Sequence, residues 1–285
     1  MNFRNFTYSE NEWFFMRFSL AITWMYFAFP SLWNAVEVSV PVGIASFIPL
    51  GIFLLVPVKI AVLFSASYFL GQYVYGTKQQ LATLVISIIS LLIFTMEESS
   101  GVFSRVSLLT LVWMVQFLAY VISANKPEDR HHRIIHASLQ MIVAAYLLSA
   151  YSKWSSSGWH WVSDAKNLDL QVLKGFYFHW ADNGNLSQIH KGNEMIQVVH
   201  QNQWLINLVL WFSLLLESFV FLMLWNRNAT RIFGYMLVCM HIGIYVIMGG
   251  ILILPVIMPM VIFTLNPLYR ITEYWTKFMS LKGTK

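Results

Sequence analysis

The sequence predicts an all-α integral membrane protein with about eight transmembrane helices, on the strength of three observations. Hydrophobic residues make up 58% of the 285 residues and charged residues only 11%, against about 25% charged residues in soluble domains. Apolar runs long enough to cross a bilayer recur along the chain, and basic residues concentrate in the short loops between them. Such a chain has too little polar surface for water and must be solvated largely by lipid.

The apolar runs give the predicted spans in chain order. The first run is long enough to span and lacks the short core and cleavage site of a secretory signal, so it predicts a helix that is retained. The stretch 38–57 is interrupted by Pro41, Pro49 and Pro57, which break regular backbone bonding, and is predicted to be interfacial or re-entrant. The eight predicted spans lie at about 13–33, 58–75, 80–96, 103–122, 134–152, 203–225, 231–248 and 251–266.

The short basic loops predict the orientation of these spans. "NKPEDRHHR" (125–133), "NRNATR" (226–231) and the C-terminal tail are rich in Lys and Arg, which favours the cytoplasmic side. Eight spans then place both termini in the cytoplasm and the segment 153–202 outside. Because this segment mixes aromatic and charged residues, it is predicted to form an amphipathic cap in the headgroup layer. Residues 1–285 are predicted to form one transmembrane domain of a multi-pass cell-membrane protein.

Two features argue against other functional classes. The single cysteine, Cys239, cannot form an internal disulfide or a CxxC redox centre. The net charge of +5 is poor support for nucleic-acid binding, because the basic residues lie at predicted membrane edges. Membrane lipids are therefore the expected partners, and no nucleic acid is expected.

The histidine-rich stretch "HHRIIH" (131–136) allows two interpretations. His132 and His136 are four residues apart, so they share a helical face and could bind a metal. Membrane di-iron enzymes use several such boxes, whereas this box stands alone. We interpret it as a basic cytoplasmic anchor and assign no metal ligands, with metal-dependent oxidation as a rival.

Ionisable residues inside apolar runs are costly and suggest function. Glu217 and His241 each lie about 12 residues, or roughly 18 Å, from a turn near Asn228–Ala229, so they share a predicted depth. If their faces meet, the two side chains can form a proton relay or a substrate-facing acid–base pair, or simply a hydrogen bond that locks two helices together. Arg17, one turn inside the first span, is predicted to extend to the headgroups.

The stretch "AYLLSAYSKWSSSGWHWVSD" (145–164) ends an apolar run with Lys153. On one interpretation the lysine extends into the interface, and Trp154, Trp159 and Trp161 belong to an aromatic belt. On the other, Lys153 is partly desolvated at an outward-facing site, where a fraction of free amine could act as a base or nucleophile.

Together, "YLLSAYSKW…WVSDAKNL", "LLLESF" and "MHIGIYVIMG" resemble the membrane domain of vitamin K-dependent γ-glutamyl carboxylases, within the horizontally transferred transmembrane (HTTM) family. Lys153 falls at the position of the family's proposed base for vitamin K hydroquinone, and "WVSD" (161–164) at that of its Trp-x-x-Gly turn. Here "SSSGWH" is inserted between these two positions, and Asp164 replaces the glycine. The large extramembrane domain of the carboxylases has no counterpart in this sequence. Lone membrane domains of the family include the sporulation-delaying protein B proteins, which are associated with maturation of an exported toxic peptide.

The resemblance implies a function and a set of site residues. Lys153 would be the catalytic base, with Glu217 and His241 shaping or protonating the cavity. The substrate-binding tryptophans would be Trp154, Trp159 and Trp161. A quinone or hydroquinone would be the cofactor, and the substrate a peptide or a lipid-phase molecule. The alternative is a non-catalytic membrane factor for maturation or export of a small peptide.

Overall fold

A computed structural model describes residues 7–34, 41, 46–47, 49–100, 104–125, 128–158, 160–163, 168–247 and 254–282. This described part is helical and contains no strand, which confirms the predicted all-α class. Short 3₁₀ helices lie at Leu50–Leu54 and Val220–Leu224. The α-helices are α1 (Glu10–Trp33), α2 (Val56–Val74), α3 (Gln79–Ser99), α4 (Ser107–Ile122), α5 (Arg130–Ser157), α6 (His160–Ser163), α7 (Leu168–Asn183), α8 (Ser187–Gln201), α9 (Gln203–Ser218), α10 (Arg227–Ile247), α11 (Leu254–Thr264) and α12 (Pro267–Lys282).

Three helices, α3, α5 and α10, are long and apolar enough to cross a membrane. A fourth candidate span combines α11 with the start of α12, bent by 47° between them. Helices α4 and α9 are apolar but have only 16 residues each, short of the roughly 20 that a hydrocarbon core requires. By length and composition the described helices therefore provide three or four spans, fewer than the eight predicted.

The chain divides into two compact units. The first comprises Met1–Ile142 and Met258–Lys285, and the second comprises Val143–Ile257. The boundaries fall inside α5 and α11, so each of these helices contributes to both units. The prediction of a single domain for residues 1–285 stays a prediction.

The first unit has a polar network in its core. The Tyr73 hydroxyl donates to the Gln116 side-chain oxygen over 2.7 Å, and the Gln116 amide nitrogen donates to Ser138 Oγ over 3.0 Å. All three residues are fully buried. Buried polar groups need such partners, so this chain of bonds ties α2, α4 and α5 in one arrangement.

Arg17 also belongs to this core. Its side chain is only 7% exposed, its Nη1 donates to the Tyr73 carbonyl over 3.0 Å, and its guanidinium lies 5.5 Å from the Trp13 ring centroid. Arg17 is therefore buried in the first unit, and the prediction that it extends to the headgroups is wrong. A backbone carbonyl at the end of α2 and an aromatic face provide the partners that the charge needs.

The second unit contains a helical hairpin and the apolar helices α9 and α10. Helices α7 and α8 pack against each other along the predicted cap segment, with Gly192 allowing the Phe176 side chain to approach closely. The amphipathic 168–185 stretch is thus helical for most of its length, as the sequence predicts. Of the predicted interfacial segment 38–57, only 41, 46–47 and 49–57 lie in the described part of the chain.

Candidate functional site

One face of α5 presents the candidate site in the second unit. Tyr146, Ser149 and Lys153 are spaced by three and four residues, so their side chains leave the helix on one side. All three make polar contacts with side chains of α9 or α10. The helical period of this short stretch therefore arranges a line of polar groups in an otherwise apolar setting.

Lys153 and Glu217 form the centre of this line. Lys153 Nζ lies 2.5 Å from Glu217 Oε2, and the Ser149 hydroxyl donates to the same oxygen over 3.3 Å. The Glu217 side chain is 5% exposed and that of Lys153 is 22% exposed, so the carboxylate is enclosed and the amine is partly accessible. A buried carboxylate is costly without a partner, and the ammonium and the hydroxyl together meet that need.

Apolar and aromatic groups surround the ion pair. Ala150, Val162 and Leu214 form a buried cluster against which Trp154, Trp161, Leu210 and Trp211 pack. Lys153 Nζ lies 4.9 Å from the Trp161 ring centroid, within the range of a cation–π contact. The amine therefore lies between an enclosed carboxylate and a partly buried aromatic ring.

The predicted tryptophans differ in their positions. Trp161 contacts the amine, whereas Trp154 donates its Nε1–H to Ser218 Oγ over 3.1 Å and meets the Trp211 ring edge-on at 6.3 Å. Trp154 thus joins α5 to α9 through its contacts with Ser218 and Trp211. Trp159 lies outside the described residues.

His241 has a partner that sequence reasoning missed. Tyr146 Oη lies 2.6 Å from His241 Nε2, and the two rings are 5.7 Å apart. The spacing in the sequence could have pointed to Tyr146, because this residue lies two helical turns before Lys153 on the same helix face. One turn before Glu217 on α9, the Ser213 hydroxyl donates to the sulfur of Met240, the neighbour of His241.

The Glu217–His241 pair, which was expected only if the two helix faces meet, is not formed among the described residues. Each side chain instead reaches α5, Glu217 at Lys153 and His241 at Tyr146. The 3₁₀ stretch Val220–Leu224 separates Glu217 from the turn before α10. Because a 3₁₀ helix rises about 2.0 Å per residue rather than 1.5 Å, Glu217 lies about 2–3 Å farther from the turn than a regular helix predicts.

The histidine box lies in the first unit. His132 Nδ1 accepts the Tyr8 backbone N–H over 3.4 Å, and His131 lies 3.3 Å from a Glu10 carboxylate oxygen. Within the residues that the structure describes, no three His, Cys, Asp or Glu side chains are grouped so that they could hold a metal ion. The contacts of this box join the start of α5 to the residues at the start of α1.

The Tyr146–His241 contact gives a direct prediction. We expect Tyr146→Phe to lower the free energy of unfolding by about 1 kcal/mol, because a largely buried hydrogen bond is lost with little change of volume. Tyr151→Phe is a matched control on the same helix, since Tyr151 is 70% exposed. Unfolding in mixed micelles measures both. An equal effect of the two substitutions would show that the Tyr146 hydroxyl contributes nothing specific.

Comparison with models of known protein families, with curated protein sequences and with solved structures finds no match to this chain.

Proposed function

We propose that this chain is a multi-pass membrane protein that performs acid–base chemistry at Lys153, in the manner expected of a carboxylase-like membrane domain. The proposal includes eight spans, cytoplasmic termini and an outward-facing 153–202 cap. The substrate class is a peptide or a lipid-phase molecule. The observation that carries the proposal is the contact of the partly exposed Lys153 amine with the buried Glu217 carboxylate.

This contact supplies what a base needs. A proton that passes from Lys153 Nζ to Glu217 leaves a neutral amine whose lone pair can accept a proton from a substrate. Ser149 fixes the Glu217 oxygen that faces the amine, so the carboxylate stays oriented during the exchange. Because the amine is the more accessible partner, a substrate reaches Lys153 before it reaches Glu217. Lys153 is thus the proposed base and Glu217 its positioning residue.

The residues beside the amine suit a flat aromatic cofactor. Trp161 lies within cation–π distance of Lys153 and is itself only partly buried, so its ring can present apolar surface to a second ring. A bound quinol would supply reducing electrons and an ionisable hydroxyl. Lys153 would accept the proton of the quinol hydroxyl. Trp161 and Trp154 would orient the quinol ring. His241 on α10, held by Tyr146, would provide a second group for proton transfer next to the same face of α5.

The test combines ligand identification with a matched lysine substitution. The protein is extracted from its native membrane, and co-purifying quinones and peptides are identified by mass spectrometry. Purified protein is then assayed for oxygen uptake with a reduced naphthoquinone. We expect Lys153→Ala to lower the rate at least 100-fold, because general-base catalysis contributes about that much. Lys191→Ala, which changes an exposed lysine of α8, should leave the rate unchanged.

Two results would contradict the proposal. One is a wild-type protein that retains no quinone and consumes no oxygen with the reduced quinone. The other is Lys153→Ala protein that is folded and as active as wild type.

A second candidate function is a non-catalytic factor that captures a small exported peptide. Tyr177 and Trp180 on α7 favour it, because they are 45% and 36% exposed and pack edge-on with ring centroids 6.1 Å apart. Exposed aromatic pairs of this kind are common anchors in recognition surfaces. In that case a Tyr177→Ala/Trp180→Ala variant loses the co-purifying peptide. Retention of the peptide by this double variant would contradict the second function.

A further inference from the structure

A cavity of about 670 Å³ lies in the first unit, remote in sequence from the Lys153 site. It opens where the α2–α3 turn meets the end of α4 and the start of α5. Its described lining combines basic, amide, phenolic and apolar side chains, and no acidic residue is among them. The lining residues are Gly76, Lys78, Gln79, Gln80, Leu81, Leu84, Phe117, Tyr120, Ala124 and Arg130.

Three cations favour an anion in this cavity. Lys78 and Arg130 line it directly. Arg17 stands behind Gly76, where a Cβ added to the glycine would lie 3.1 Å from Arg17 Nη1. Glu10, an acidic residue of the same unit, is 77% exposed and faces His131. The cavity therefore has an excess of positive charge.

The start of α3 adds backbone donors. Lys78 is the N-cap residue of this 21-residue helix, adopts the left-handed conformation at φ 45°, and leaves the helix without a side-chain cap. The next three residues, Gln79–Leu81, line the cavity, so the first-turn N–H groups lie at its wall. The positive end of the helix dipole also favours an anion there.

A buried donor without a partner provides the second observation. Tyr120 is 3% exposed, lines the cavity, and its hydroxyl has no hydrogen-bond partner within the described structure. Arg130 donates through Nη2 to the Ala124 carbonyl, while its Nε has no partner. Buried polar groups without partners in a native protein call for a ligand or an ordered solvent molecule. Both are donors, and a donor left free requires an acceptor.

We infer that this cavity binds a phosphate group. Uncapped helix N–H groups, an arginine, a lysine and a phenolic hydroxyl are the donors that phosphate oxygens accept. The apolar residues Leu81, Leu84 and Phe117 suit the glycerol or acyl part of a phospholipid, so a lipid headgroup and a soluble phosphate are the two sources of the same chemistry. The site is independent of the chemistry proposed at Lys153.

The experiment uses the full chain, stripped of lipid in a non-ionic detergent. Its thermal unfolding midpoint is measured with added phosphatidylglycerol, phosphatidylcholine, inorganic phosphate, or chloride at equal ionic strength. Native mass spectrometry counts any lipid retained. The variants are Arg130→Gln and Lys78→Gln, which remove charges from the lining. Arg133→Gln is the matched control, because it removes an equal charge from the same helix end without touching the cavity.

We expect phosphatidylglycerol to raise the midpoint and to be retained, with phosphatidylcholine inactive. Each lining variant should weaken retention at least 5-fold relative to Arg133→Gln. If inorganic phosphate alone raises the midpoint, and only when Arg130 and Lys78 are present, the phosphate group comes from a soluble compound. If Arg133→Gln and Arg130→Gln lost lipid retention equally, general surface charge would explain the binding and the inference would be overturned. The inference would also be overturned if none of the phosphate compounds raised the unfolding midpoint.

Discussion

Lys153→Ala is expected to lower the free energy of unfolding by about 3 kcal/mol, because it leaves a charged carboxylate enclosed without its cation. Glu217 is 5% exposed, and its remaining described partner is the Ser149 hydroxyl at 3.3 Å. One neutral hydrogen bond does not replace an ion pair in a poorly solvated site. Unfolding in mixed micelles, followed by circular dichroism, measures the loss.

A double variant separates the structural role of the pair from its function. Lys153→Met/Glu217→Leu replaces both charges with apolar side chains of similar volume, and such replacements of buried pairs are often neutral or stabilising. We therefore expect the double variant to recover most of the stability lost in Lys153→Ala. A double variant as unstable as the single one would contradict this account of the pair.

The double variant also tests the proposed chemistry. If the pair only locks α5 to α9, restored stability should restore function, whether that is oxygen uptake or peptide retention. If Lys153 is a base, the double variant is stable and inactive. Lys153→Ala alone cannot make this distinction, because it loses stability and amine together.

Gln116→Leu is expected to lower the free energy of unfolding of the first unit by about 2–3 kcal/mol. The substitution removes the acceptor of the Tyr73 hydroxyl and the donor to Ser138, and both partners are fully buried. Ser138 keeps its bond to the Ile134 carbonyl, so the orphaned Tyr73 hydroxyl accounts for most of the loss.

Two further variants identify the cause. Tyr73→Phe combined with Gln116→Leu removes the orphaned hydroxyl, so the pair should cost less than the sum of the single changes. Gln140→Leu is the matched control, because Gln140 is an exposed glutamine on α5 in the same unit. It should leave stability unchanged or increase it. A loss equal to that of Gln116→Leu would show that burial at position 116 is not the cause.

The amino-acid sequence was sufficient for the helical class and for the membrane-like composition. Each predicted apolar run overlaps a helix, because in lipid a run of this length and hydrophobicity can satisfy its backbone hydrogen bonds only as a helix. It also singled out Lys153, Glu217 and His241, since ionisable residues among apolar ones are conspicuous in any chain. The number of spans was less predictable, partly because α4 and α9, with 16 residues each, are shorter than the hydrophobic runs that contain them.

Partner choice was decided only by the tertiary structure. Counting residues from the turn placed Glu217 and His241 at the same depth. A 3₁₀ stretch in the connection changes the rise, and α5 supplies the partner of each residue. Tyr146, Ser149 and Gln116 look ordinary in the sequence, and they acquire roles only through side chains 22 to 95 residues away. Hydrophobic periodicity specifies where a helix lies along the chain, whereas the pairing of polar groups depends on the register between helices, which no local pattern encodes.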